Sequence, residues 1–146
     1  MINENQVISG WGRNSYAKVN IFEPLKEEQI RGIILNAREK SLITRGLGRA
    51  YGDSAQLDNE TVILLKNFNA VNIDKKNNEI TAQGGVSFDD ILSIIIPQGY
   101  FLPVSPGTRY VTVGGAIAAD EHGKNHHKDG TFGKNVKRLL LMDGKG

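Results

Sequence analysis

Three histidines and two lysines fall within His122-Gly123-Lys124-Asn125-His126-His127-Lys128, and the chain has no histidine elsewhere. An imidazole moves protons near neutral pH, and an ammonium group steadies a phosphate or an oxyanion. The cluster can therefore line a redox or substrate pocket, and histidines that simply hydrogen-bond a polar loop are the bland alternative. It sits in a longer stretch, FLPVSPGTRYVTVGGAIAADEHGKNHHKDGTFG (Phe101–Gly133), that is too polar and too glycine-broken to be mainly core. Glycines let backbone N–H groups come close to a ligand. A second glycine-dense stretch, RGLGRAYGD (Arg45–Asp53), lies upstream, and the two are expected to clasp an extended anionic ligand between them.

Gly46, Gly48 and Gly52 form GxGxxxG, one residue longer than the dinucleotide fingerprint. The following DSAQLDNET has no helical stripe, whereas that fingerprint needs a helix N-terminus. An anion-binding loop of backbone N–H groups, with Arg45 and Arg49 nearby, fits better; a plain loop is the bland alternative. HGKN resembles the end of a P-loop, but the required upstream glycine would fall at Ala118, and Asn125 replaces Ser or Thr. His122 and His126 are four apart, with Asp120 and Glu121 close by. Gly123 and Gly130 argue against a helix there and HExxH is absent, so no metal site is expected. In SPGTRYVTVGGAIAAD, Pro106-Gly107 makes a turn and Thr108 and Thr112 offer hydroxyls. Gly114-Gly115 then opens a run of small residues (Ala116, Ala118, Ala119) that a flat ring or a pyrophosphate could approach, with the run's N-terminus lending positive charge. The alternative is close helix–sheet packing.

Seventeen of the 146 residues are glycine, above the usual share of about 7%, and most lie in these two stretches. The length suits one domain with a real core. Net charge is only +2, with no basic tail, so nucleic acid is not an expected partner. The absence of cysteine excludes disulfides and thiolate zinc sites. MINENQVISGWGRN carries no apolar signal region, and the aliphatic run near Ile94–Ile96 is far short of a membrane span. The expected setting is cytoplasmic.

These motifs need elements to carry them, and the pattern reads as α+β. Ala17–Phe22 alternates like a strand. Glu23-Pro24 opens a helix over Leu25–Lys40, with Leu25, Ile30, Ile33, Ile34 and Ala37 as a buried stripe. Ser41–Thr44 is a strand that delivers the chain into RGLGRAYGD. Val62–Leu65, Ala70–Ile73 and Glu79–Gln83 read as strands, the last two forming a hairpin around Lys75–Asn78. Ser87 caps a helix buried through Phe88, Ile91, Leu92, Ile95 and Ile96, which ends at Pro97 and Gly99. Val113–Asp120 is a short helix of small residues. Val136–Met142 is a final buried strand, and the sequence is expected to be the front part of a longer chain.

GLGRAYGDSAQ, followed by PVSPGTRYVTVGGAIAADEHGKNHHKDGTFG, resembles the FAD-binding domain of the vanillyl-alcohol oxidase/p-cresol methylhydroxylase (PCMH-type) flavoproteins. Within them it is similar to the branch acting on polyprenyl-phosphoryl pentoses. The resemblance implies a PCMH-type domain over residues 1–146, built of two small α+β subdomains with FAD stretched between them. It further implies that Thr44, Arg45, Gly46, Leu47, Gly48 and Arg49, continuing through Ala50, Tyr51, Gly52, Asp53 and Ser54, hold the pyrophosphate. Gly107, Thr112, Val113, Gly114 and Gly115, with Ala119, Asp120, Glu121 and His122, would line the rest. His122 and Lys124 would face the isoalloxazine and the substrate. Many relatives bond the flavin covalently through a histidine where Arg49 stands, so non-covalent FAD is implied. Ala50 stands where close relatives carry Ser, removing one phosphate contact.

The implied chemistry is oxidation of a sugar's secondary alcohol. The substrate would be a lipid-linked or small sugar, with a short-chain reductase as partner and a peripheral place at the inner membrane. The substrate domain would lie beyond residue 146. An aldonolactone, alditol or hydroxy acid as substrate, or a non-catalytic nucleotide-binding module, are the alternatives.

Overall fold

The structure, a computed structural model, describes residues 2–37 and 41–146. It is α+β and divides into two compact units. One comprises the residues up to Asn67 together with Leu140–Gly146, and the other is Phe68–Leu139.

The first unit is built on a four-stranded sheet. β1 (Ile2–Ser9) pairs antiparallel with β2 (Tyr16–Phe22). β4 (Thr61–Leu64) lies parallel to both β2 and β3 (Leu42–Arg45), giving the order β1-β2-β4-β3. The alternation read in β2 is real: Ala17 and Val19 are buried between exposed Tyr16 and Lys18, and they pack with Val62, Ile8, Ile21, Ile43 and Leu64. Strand β1 has no such pattern. It is an edge strand exposed over most of its length, held by its backbone ladder to β2, so no apolar periodicity marks it.

Helix α1 (Glu27–Asn36) begins three residues after Pro24. The proline is not in its first turn, as expected, but buried ahead of it, with its carbonyl accepting from Asn67 Nδ2 at 3.1 Å. The entry is set instead by Gln29, whose Oε1 accepts from the amides of Leu25 (2.7 Å) and Lys26 (3.3 Å). The stripe Ile30, Ile33 and Ile34 is half-buried, not buried, and Leu25 is exposed outside the helix. Residues 38–40 of the expected helix lie outside the described residues.

The second unit joins a hairpin, β5 (Val71–Asp74) and β6 (Glu79–Ala82), to helix α2 (Phe88–Ile95). Asp74 pins the turn by accepting from the amides of Lys76 and Asn77 and from Asn77 Nδ2 (2.7 Å). The hydrogen bonds from Asn77 hold its carboxyl below the usual range. The core is Val86, Phe88, Ile91, Leu92, Ile95, Leu102, Val111 and Ala116, with the hairpin's Val71, Ile73, Ile80 and Ala82 packed against it. Ile96 lies outside this stripe, exposed in the 3-10 turn Ile96–Gln98, and Gly99 closes that turn at φ +82°.

Ser87 caps α2 as the sequence predicts. Its Oγ accepts from Asp90 N at 3.0 Å, while Asp90 Oδ2 accepts from Ser87 N at 3.0 Å, a reciprocal box. Removing such a cap costs about 1 kcal/mol. Ser87→Ala is therefore expected to lower the thermal midpoint by a few degrees, and an unchanged melting curve would show the cap to be idle.

The expected strand Val136–Met142 does not form. The segment makes no ladder among the described residues, and Leu139, Leu140 and Leu141 are 54%, 90% and 74% exposed. An aliphatic run becomes a strand only beside another strand's backbone, and none of the described strands flanks it. Among the described residues no helix is long and apolar enough to cross a membrane.

Candidate functional site

In the first unit, β3 carries Thr44 and Arg45 to its end and the chain then loops through Gly46–Ser54. Gly48 makes the bend at φ +65°, a conformation that favours glycine. The loop is clamped from one side. Trp11 N donates to Ala50 O (2.7 Å) and Gly12 N to Tyr51 O (3.2 Å). Gly10 lies against the same stretch so closely that an added Cβ would strike the carbonyl oxygens of Gly52 and Ala50.

Arg45 braces the loop from within. Its guanidinium donates to Ser9 O (2.6 Å) and Ala55 O (3.0 Å), and it fills the space an alanine Cβ at Gly48 would need. Burial lowers its pKa from the ordinary arginine value. Arg45 is thus a structural strut whose donors are engaged by the protein itself. Arg49 instead lies over the Trp11 ring, 4.4 Å from its centroid, a cation–π contact that keeps a positive charge at the loop. Held so, the amides of Gly46 to Gly48 and of Ala50 to Ser54 find no protein acceptor among the described residues. An added Cβ at Gly52 would meet nothing within 4 Å, and Tyr51 is 76% exposed. Backbone donors left free in this way, on a loop whose rear wall is fixed, can take an anion. Thr44 also borders a groove of about 560 Å³ with Ile34, Leu35, Leu42, Ile63 and Met142.

In the second unit, α3 (Val113–Ala118) starts at Thr112, whose Oγ1 accepts from Gly115 N at 3.1 Å. Val113 N donates to Val86 O (2.8 Å) and Gly114 N to Gly84 O (2.9 Å). The amides expected to face a phosphate here are thus already bonded within the protein. Gly114 is required by close packing, since an added Cβ would stand 2.9 Å from Gly84 O. Gly115 differs: it is exposed, and its added Cβ would meet only Thr112 Oγ1, at 3.1 Å. Gly115 and the C-capping Ala119 are exposed, while the amides of Val113, Gly114 and Gly115 at the start of α3 are bonded within the protein.

The histidine loop leaves α3 at Asp120, which takes φ +44° and accepts from Gly133 N (3.2 Å). Glu121 O accepts from Phe132 N (2.7 Å), and a single bridge pairs His122 with Thr131. Within this closed loop, α4 (His126–Asp129) makes one turn where glycines argued against a helix; Gly123 precedes it and Gly130 ends it at φ +78°. His122 stands outside α4, its ring centroid 5.0 Å from that of His126. His122 and Lys124 are exposed, and among the described residues the Lys124 ammonium has no ion-pair partner.

Gly107 opens on a cleft of about 470 Å³ bordered by Phe88, Phe101, Ser105 and Arg109. Arg109 pairs with Asp89 (2.9 Å), and its pKa is raised by the hydrogen bond to Tyr110 and then by Asp89. Ser105 Oγ is buried with no protein partner among the described residues.

Sequence reasoning missed the clamp of Gly10 to Gly12, although WGR stood in view. No periodicity marks a segment that works through backbone bonds to a loop forty residues away. It also missed the part of Asn125 described below.

The Gly46–Ser54 loop, with a left-handed Gly48 and, among the described residues, no protein acceptor for the amides of Gly46 to Gly48 and of Ala50 to Ser54, is by itself suited to an anionic ligand. The comparisons agree: residues 20–146 match the family model described as FAD binding domain, and the chain belongs to that family. It is 39% identical over 143 residues to the decaprenylphosphoryl-beta-D-ribose oxidase of Mycolicibacterium smegmatis, covering 95% of this chain and 31% of that protein. It is 30% identical over 129 residues to the L-gulonolactone oxidase of Scyliorhinus torazame, covering 86% and 29%. The chain thus spans a little under a third of the length of these relatives. Among solved structures, cholesterol oxidase from B. sterolicum superposes with a TM-score of 0.73 at 13% identity, covering 84% of this chain and 25% of that one, which shows the shared fold.

Proposed function

We propose that this chain holds FAD without a covalent bond and serves an oxidase of a sugar's secondary alcohol, with a polyprenyl-phosphoryl pentose as substrate. The observation that carries the reading is the Gly46–Ser54 loop, in which the amides of Gly46 to Gly48 and of Ala50 to Ser54 lack protein acceptors among the described residues while Gly10 to Gly12 and Arg45 brace it. These amides bind the pyrophosphate, and Arg49 adds charge. A guanidinium makes no bond to a flavin, so the cofactor leaves on denaturation. Ala50 supplies no hydroxyl there, a loss of about 1 kcal/mol.

Bound FAD supplies a two-electron acceptor for a carbinol hydride. Gly115, Ala119 and Gly107 leave room for the ring. Lys124 orients the substrate's phosphate or hydroxyl oxygen, and His122 takes or steadies the hydroxyl proton. Asp120, through its carboxylate, and Glu121, through its backbone carbonyl, act by closing the loop that carries both. The 39% identity to a decaprenylphosphoryl-ribose oxidase supports the lipid-linked pentose. Its ketose product suits a short-chain reductase as the next enzyme, and its lipid tail suits a peripheral place at the cytoplasmic face of a membrane.

Anaerobic bleaching of the flavin band tests the substrate. A polyprenyl-phosphoryl ribose is expected to bleach it, and L-gulonolactone and D-lactate are not; bleaching by either of these alone would move the reading to that substrate class. Lys124→Ala is expected to slow bleaching by at least about tenfold with FAD content unchanged. Wild-type rates in that variant would return Lys124 to an ordinary solvated loop.

A further inference from the structure

Lys124 is a long flexible side chain, yet the two residues flanking it are fixed. Gly123 is buried, and an added Cβ would stand 2.6 Å from Ser105 O, so the loop backbone rests on the backbone of Ser105. On the other side, Asn125 Nδ2 donates to Pro103 O at 3.1 Å. The same nitrogen donates to Asp129 Oδ2 at 2.7 Å, which fixes the amide's rotamer. Asn125 O accepts from the amides of Lys128 and Asp129, so α4 grows directly from the tethered residue. The loop is otherwise closed at its base, by the bridge of His122 with Thr131 and the bonds of Phe132 N to Glu121 O and of Gly133 N to Asp120 Oδ1. Among the described residues, Asn125 is the one side chain of residues 122–130 that hydrogen-bonds outside the loop.

We infer that Asn125 is a positioning residue. Its bond to the Pro103 carbonyl latches the histidine loop to the Pro103–Gly107 segment and sets where Lys124 stands, and Asp129 holds the latch in its bonding rotamer. The inference rests on the reading that Lys124 works at the FAD and substrate. An aspartate at 125 cannot donate to Pro103 O, and it would face the Asp129 carboxylate. An asparagine at 129 still offers an oxygen to Asn125, so Asp129→Asn keeps the latch.

The test uses the intact FAD-loaded protein as wild type, Asn125→Asp, Asn125→Ala, Asp129→Asn, Lys124→Ala and Asn125→Asp/Lys124→Ala. The first readout is amide hydrogen exchange over residues 122–130, with α2 as internal control. Loss of the latch is expected to speed exchange in the loop about tenfold in both Asn125 variants, with α2 and Asp129→Asn unchanged. Unchanged loop exchange, or an equal rise in α2, would overturn the latch. The second readout is the rate of flavin bleaching by a polyprenyl-phosphoryl ribose. A loosened lysine is expected to slow Asn125→Asp by about tenfold or more, and the double variant to be no slower than Lys124→Ala alone. Independent, multiplying losses would overturn the claim that Asn125 acts through Lys124. If Lys124→Ala bleaches at the wild-type rate, or the substrate fails to bleach wild type, the functional reading fails while the exchange measurement still decides the latch.

Discussion

Gly115→Val is expected to yield a folded protein without flavin. The added Cβ has one tight neighbour, Thr112 Oγ1 at 3.1 Å, and otherwise open space. In helix propensity, valine is no worse than glycine. The branched methyls would project from the exposed face of α3, where the ring is proposed to approach. Gly114→Ala makes the contrast, since its Cβ would stand 2.9 Å from the Gly84 carbonyl, a backbone atom that cannot swing away. Such overpacking costs about 1–3 kcal/mol, so that variant should melt earlier with or without FAD. Flavin content after gel filtration and thermal melting separate the two. Full flavin in Gly115→Val would remove the ring from this face.

The second large effect is expected at Gly10→Ala. The new methyl would be driven into the carbonyl oxygens of Gly52 and Ala50, both backbone atoms. Either the end of β1 or the Gly46–Ser54 loop must move, and the bonds from Trp11 and Gly12 to that loop go with it. We expect a loss of about 1–3 kcal/mol in stability and a fall in FAD affinity of more than about tenfold, since a cradle of backbone donors works only while its geometry holds. Titration of the apo-protein with FAD measures it. Wild-type affinity in Gly10→Ala would mean that the clamp of residues 10–12 has no part in the site.

The elements with a strong apolar period were legible in the sequence. In α2, the Ser87 cap and the stripe Phe88, Ile91, Leu92 and Ile95 agree on start and buried face, and the structure follows them, with Ile96 alone of the expected stripe left exposed beyond the helix. The hairpin around Lys75–Asn78 was legible for a similar reason, a polar turn between two alternating segments. What failed was whatever depends on a distant neighbour. Strand β1 is solvated and exists through its ladder to β2, so its side chains carry no signal. Val136–Met142 is aliphatic enough for a strand, but the described residues give it no partner strand to pair with. The family itself was legible because the PGTR–VTVGGAIA–D–HGKNHH string is long and specific in residue type and spacing. The roles of those residues were less so. Gly114 and Gly115 are adjacent and identical in sequence, and only their surroundings show that one serves packing and the other faces open space. Arg45 likewise reads as an anion-binding cation until its partners at Ser9 and Ala55 appear.

The central claim, non-covalent FAD on this domain, is tested most directly by the absorption spectrum of the intact protein before and after acid precipitation. The account predicts a flavin band at about 450 nm that passes wholly into the supernatant. Flavin retained in the pellet would contradict the role given to Arg49, and a protein that shows no flavin band even after incubation with FAD would contradict the cofactor assignment itself.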